Sequence, residues 1–168
     1  MPHYLVGQLR FTRSELQRCL SGITDEEARQ RLHPMNCISW MIGHLTTQEN
    51  NYWVQQGLGK QMHPELYESV GHGRPASTPP LDEMWVAWRE ITTEADRFLD
   101  TLTAERMETY FEAGPPNSTE NIGTMLLRCI HHYWFHIGEA HAVRQMLGHK
   151  DLPQFVGDMS AVGYTSEG

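Results

Sequence analysis

Apolar residues recur at steps of three and four along most of the chain, the spacing of a helix with one buried face. Four segments carry it. The first runs roughly from Leu5 to Leu20, with Leu5, Leu9, Leu16 and Leu20 on one stripe and Gly22 as a stop. The second begins near Ile38 or Ser39 and runs to about Gln56, ahead of Gly57 and Gly59. The third has the cleanest seam: Met84, Trp88, Ile91, Ala95, Phe98 and Leu102, with Asp82 and Glu83 suiting the helix dipole at its start. The fourth starts near Ser118 or Thr119 and ends before Gly148. Its stripe is Ile122, Met125 or Leu126, Cys129, His132 or Tyr133, His136, Ala140, Val143 and Leu147.

The joints differ in character. Thr24-Asp25-Glu26-Glu27 reads as a short capped helical turn, and Pro34 argues against helix just after it. Residues 57–80 hold four glycines (57, 59, 71, 73) and four prolines (64, 75, 79, 80), a long crossover and not a tight turn. Residues 103–118 form a second connector with Gly114-Pro115-Pro116, and the last twenty residues read as a packed or partly ordered tail. No run has the period-two Val, Ile and Thr alternation of a strand. The expected fold is all-α: a four-helix bundle with non-alternating connections, one domain over residues 1–168.

Composition narrows the classes of function. The chain has 168 residues, 39% apolar and 20% charged, with mean hydropathy −0.52. No apolar run approaches the ~20 residues of a membrane span. Net charge is −8, the wrong sign for a generic binder of phosphate backbones, so neither membrane nor nucleic acid is an expected partner. Met1-Pro2-His3-Tyr4 shows no secretory leader, which implies a reducing cytoplasm. Cys19, Cys37 and Cys129 form no Cys-x-x-Cys pair and read as buried free thiols.

Histidines carry the candidate chemistry. His132 and His136 lie four apart, so their imidazoles stack one turn apart on a single helix face, within the apolar stripe. That spacing offers two ligands to one metal. The other reading is two neutral histidines satisfied by Tyr, Ser or backbone partners. His44 stands mid-helix among apolar neighbours, in Trp40-Met41-Ile42-Gly43-His44-Leu45. If the second and fourth helices pack side by side, three imidazoles converge and leave open positions, as in a catalytic-type site. His131 and His141 fall off that face and read as solvated or edge histidines. The paired Glu-x-x-His motifs of di-iron bundles are missing, and Tyr133 stands where a zincin would have its Glu. Glu139 is close to the face of the pair; it reads as an orienting, proton-accepting or weakly ligating acid, or as a surface acid near the helix end. Glu49 points round the helix from His44 and suggests an ion pair with another element. Arg128 reads as an anion holder or as a solvated arginine.

The segment Asn36-Cys37-Ile38-Ser39-Trp40-Met41-Ile42-Gly43-His44-Leu45, with Glu49 after it, resembles the second-helix signature of the DinB/YfiT-like metalloenzymes. The segment His132-Tyr133-Trp134-Phe135-His136-Ile137-Gly138-Glu139 resembles their last-helix signature, His-x-x-x-His-x-Gly-Gln. The resemblance spans nearly the whole chain. It implies an up-down-down-up bundle in which His44, His132 and His136 bind a divalent metal such as zinc or nickel. It also implies a homodimer, and it does not imply DNA binding. Glu139 stands where the family frequently has Gln, so a carboxylate replaces the side-chain amide there.

Relatives of that kind include S-transferases using low-molecular-weight thiols, so the leading expectation is a thiol-dependent transferase acting on small electrophiles. Coordination lowers the pKa of a thiol, and thiolate is the nucleophile. A metal-dependent hydrolase is the second enzyme reading. A non-catalytic stress or sensor protein that binds a metal or small ligand is a third, and a bundle with no metal a fourth. The substrate pocket is expected from the crossover, the connector 103–118 and the tail.

Overall fold

The computed structural model describes residues 3–112, 119–154 and 156–164, and every regular element among them is helical. In chain order these are α1 (Tyr4–Cys19), α2 (Asp25–Arg29), α3 (Ile38–Glu49), a π-helical stretch Asn50–Gln56, α4 (Leu66–Val70), α5 (Leu81–Leu99), α6 (Ala104–Met107) and α7 (Ile122–Met146), with a 3-10 turn at Ser160–Val162. The four expected segments are thus α1, α3 with its π-helical continuation, α5 and α7. No helix among the described residues is long and apolar enough to cross a membrane.

Capping explains several boundaries. Thr24 and Glu27 form a reciprocal capping box on α2. Asp25, in that same turn, accepts the backbone N–H of Leu81 at 2.8 Å and so satisfies a donor at the start of α5. Asn121 Oδ1 accepts from the N–H of Thr124 at 2.8 Å, which starts α7 at Ile122. That corrects the expected start: Thr119 is not helical, and Ser118 lies outside the described residues, as does Gly114-Pro115-Pro116. The side-chain cap at Asn121, not the apolar stripe, sets the boundary.

Packing follows the stripes. α1 lies along α7, α3 along α5, and α3 also meets α7. Leu9, Leu16, Ile42, Leu45, Ile91, Phe98 and Leu126 are buried in one apolar cluster with Trp53 and Tyr133. Each such side chain contributes about 1.5–3 kcal/mol on leaving water. The tail packs on α1: Gln8 donates to the Val162 carbonyl at 2.7 Å, and the Gly157 N–H donates to Glu15 at 2.8 Å. The crossover is less open than its glycines and prolines suggest, because α4 folds within it and packs against α3.

That packing needs Gly43. A Cβ there would lie 2.5 Å from Met84 Sδ and 2.9 Å from Val70 Cγ2. Gly43→Ala gains about 1 kcal/mol of helix propensity. Overpacking costs about 1–3 kcal/mol. The methionine can swing aside but the β-branched Val70 cannot, so a net loss of roughly 1 kcal/mol is expected in urea denaturation.

Candidate metal centre

α3 carries His44 and α7 carries His132 and His136, and the packing of α3 on α7 brings the three rings together. Ring centroids are 4.9 Å apart for His44 and His132, 5.3 Å for His44 and His136, and 4.7 Å for His132 and His136. One ring nitrogen from each lies within 4.8 Å of the others. Trp40, one turn before His44, stacks on its ring at 4.5 Å.

Each ring is oriented through Nδ1. His44 Nδ1 is 3.0 Å from the Val70 carbonyl, His132 Nδ1 is 2.9 Å from Gln48 Oε1, and His136 Nδ1 is 2.7 Å from Glu139 Oε2. All three partners are acceptors, so each Nδ1 carries the hydrogen and each Nε2 presents a lone pair. This is the outer-ring arrangement that metal-ligating histidines use. Two of those lone pairs face each other: Nε2 of His132 and of His136 are 3.0 Å apart.

The surroundings of His44 and His132 oppose an imidazolium at either ring. His44 is pushed down to about 4 and His132 down to about 3. Burial is the main cause for both; charge on neighbouring imidazoles acts the same way, and the Val70 carbonyl partly offsets it at His44. Three imidazole nitrogens that converge this closely fit a divalent cation.

These directions set a pH dependence. An unfolded histidine titrates near ~6.5. Between that value and about 4 the unfolded chain takes up protons that folded His44 refuses. Stability present above pH 6.5 is therefore lost as the pH falls through 4 and then 3. Urea denaturation of the metal-free protein at pH 7.5, 6 and 5 should show falling midpoints. His44→Gln should flatten the fall; an unchanged slope would remove His44 as its source.

A second set of bonds ties the same helices. Buried Arg13 donates through Nε to Glu49 Oε1 at 2.8 Å, forms an ion pair with Glu49 through Nη2, and reaches Asp96 at 2.8 Å. Tyr133 OH donates to Glu49 Oε1 at 2.6 Å and accepts from Trp88 Nε1 at 2.8 Å. Consecutive residues of α3, Gln48 and Glu49, thus hold consecutive residues of α7, His132 and Tyr133. This double clasp fixes the register of the helices that carry the triad. The ion pair expected of Glu49 is present, with α1 as the other element. Burial and then the Glu49 charge push the Tyr133 phenol well above its usual range, so it stays a donor.

His44 and His132 line a cavity of about 1130 Å³. Its other lining comes from the end of α3 and the π-helical stretch (Thr47, Gln48, Asn51, Tyr52, Gln55), the crossover (Met62, His63, Leu66, Tyr67, His72) and α7 (Leu127, Arg128, His131). A π-turn inserts extra backbone into a helix and is common at functional sites. One expectation needs correction. The described residues of the connector 103–118 and of the tail do not line this cavity, because the tail packs on α1 instead. His131 is exposed and lies at the edge of the triad face, where it joins the cavity lining. Arg128 lines the cavity with its guanidinium held by Glu120. Glu139 bonds His136 but is not part of the lining. His141 lines a small separate cleft. The three cysteines are free and buried.

Sequence reasoning missed His63 and His72, and it missed the Val70 carbonyl and Gln48 as partners of the triad. Gln48 had a signal, one turn after His44 on the same inward stripe. A backbone carbonyl leaves none.

An all-helical chain with three histidines from two helices around a single point, beside a large cavity, defines a helical protein with a candidate trihistidine metal centre. Residues 4–148 match the mycothiol-S-transferase (MST) family, and the chain belongs to it, a DinB/YfiT-like family. No curated protein matches the chain.

Proposed function

We propose that this protein is a divalent-metal-dependent thiol S-transferase that joins mycothiol, or a similar small thiol, to a small electrophile. The observation that carries the reading is the convergence of three Nε2 lone pairs beside the cavity, each Nδ1 tied to an acceptor. The family match adds the thiol. The up-down-down-up four-helix bundle is the topology this reading takes.

In this reading His44, His132 and His136 hold the cation, zinc or nickel. When bound, that cation supplies a Lewis acid of full double charge, which lowers the pKa of a nearby thiol. Val70, Gln48 and Glu139 keep the rings in one tautomer. Glu139 is a positioning residue here, since it touches His136 and stays out of the cavity lining. Gln48 and the π-helical amides hydrogen-bond the body of the thiol substrate, and burial of His44 and His136 limits water.

Two measurements test this. Elemental analysis should find close to one divalent ion per chain. The loaded protein should consume an alkylating electrophile with mycothiol and not without it. Turnover without thiol would replace the transferase by the hydrolase reading, and an ion-loaded protein inert with both would support a non-catalytic binder.

A further inference from the structure

We infer that the cavity holds the thiol and its electrophile together, and that the electrophile is an uncharged molecule with an apolar face seated against Met62, Leu66, Tyr67 and Leu127. This rests on the transferase reading and adds the class of the second substrate.

Size is the first ground. The cavity, about 1130 Å³, lies at the top of the ~300–1,000 Å³ range of ligand pockets and so has room for two small molecules side by side. Its lining is the second. The end of α3 and the π-helical stretch present amides, Gln48, Asn51 and Gln55, suited to a hydrogen-bonding ligand. The crossover and α7 add the apolar Met62, Leu66, Tyr67 and Leu127 among histidines and other polar side chains. Tyr67 and Leu127 are 48% and 40% exposed, and both line this cavity. Large apolar groups left open to a cavity gain from a ligand that covers them. This wall abuts the metal centre, because α4 begins with Leu66 and ends at Val70, whose carbonyl holds His44.

Charge is the third ground. Among the described residues the lining contains no Asp, Glu or Lys, and its one arginine, Arg128, is paired with Glu120. His63 in the apolar wall is held by Glu90 and Glu65, so the carboxylates next to that wall repel an anion. Arg74, which lies over the Tyr67 ring, is paired with Glu68, so an anionic electrophile seated there would lose hydration while the nearest arginines are already held by carboxylates.

The step balances without a further reactant. For an alkyl halide, the thiol sulfur forms an S–C bond while the C–halogen bond breaks. The halide leaves with the electron pair, and the thiol proton passes to solvent.

The experiment compares 4-(chloromethyl)benzamide with 4-(chloromethyl)benzoate, near-isosteres that differ in charge, using mycothiol and the metal-loaded protein. Each rate is divided by its uncatalysed rate. The amide should be enhanced at least tenfold more than the carboxylate, and initial-rate lines for the two substrates should intersect. Leu127→Lys, at an exposed helix position, should narrow the preference at least tenfold, and Tyr67→Lys should act alike. Val86→Lys, which adds the same charge on α5 away from the cavity, should leave it unchanged. Equal enhancement of the two electrophiles, or a preference unmoved by both lysine variants, overturns the inference. Parallel initial-rate lines overturn simultaneous occupancy.

Binding answers the same question without turnover. In saturation-transfer NMR with the metal-free chain, 4-methylbenzamide should give signal and 4-methylbenzoate little, with Leu127→Lys reversing the order. Equal signals overturn the proposed wall. If the binding preference holds while neither electrophile reacts, the transferase reading fails and the ligand class stands.

Discussion

Replacing His132 with alanine is expected to lower divalent-metal affinity more than 100-fold, measured by competition with a chromophoric chelator. The ring supplies one of three nitrogens at the site, and two imidazoles cannot hold the ion as three do. Loss of an outer hydrogen-bond partner costs only about 10–100-fold. Gln48→Leu, which removes the acceptor at 2.9 Å from His132 Nδ1, should therefore fall between the wild type and His132→Ala. That order is specific to the assigned geometry. If Gln48→Leu weakens binding as much as His132→Ala, then Gln48 is itself a ligand. If His132→Ala binds normally, the triad is a set of core histidines. Circular dichroism should show both variants folded, since neither side chain fills the apolar cluster.

The largest stability effect is expected at Glu49. Its carboxylate is fully buried and neutralises Arg13, which is buried as well. Burial alone would lower the Arg13 pKa, but the Glu49 charge and hydrogen bond reverse that and hold it well above its usual value. Glu49→Ala leaves a guanidinium in the core with only Asp96 nearby and strips the Tyr133 hydroxyl of its acceptor. Breaking a buried pair in this way costs about 3–5 kcal/mol. A domain of this size is stable by only about 5–15 kcal/mol in total, so a fall in Tm of about 10 °C or more is expected. The double variant Arg13→Met/Glu49→Leu should recover most of that loss, because the uncompensated charge disappears with its partner. It should not recover metal affinity, because the Glu49–Tyr133 half of the double clasp remains broken. Full recovery of both would reduce the network to a device for stability alone.

The helices and the histidine pair of α7 were legible in the chain because both follow from local geometry. A period of 3.6 places Leu9 and Leu16 on one face of α1 and Met84, Trp88 and Ile91 on one face of α5. The same rotation stacks His132 on His136. His44 was legible as a polar ring in an apolar run, which needs a partner. Thr24 and Glu27 announced their capping box at a spacing of three. The exact start of α7 was not legible, because one side-chain cap at Asn121 outweighed the helical tendency of the residues before it.

What the residue order alone decided, then, is which faces are apolar and which side chains share a turn, since both depend on neighbours within a few positions. What only the folded chain decided are the relations between distant positions. Glu49 meets Arg13, 36 residues away, and His132 meets Gln48, 84 residues away. The Val70 carbonyl reaches His44 because α4 folds back onto α3, and no side-chain pattern encodes a carbonyl. The π-helical turn at Asn50–Gln56 changes hydrogen-bond register without changing the apolar pattern, and it lines the cavity with amides. Helical rotation acts through the next turn of backbone, whereas a cavity and the tautomer of a ring are set by whatever packs across from them.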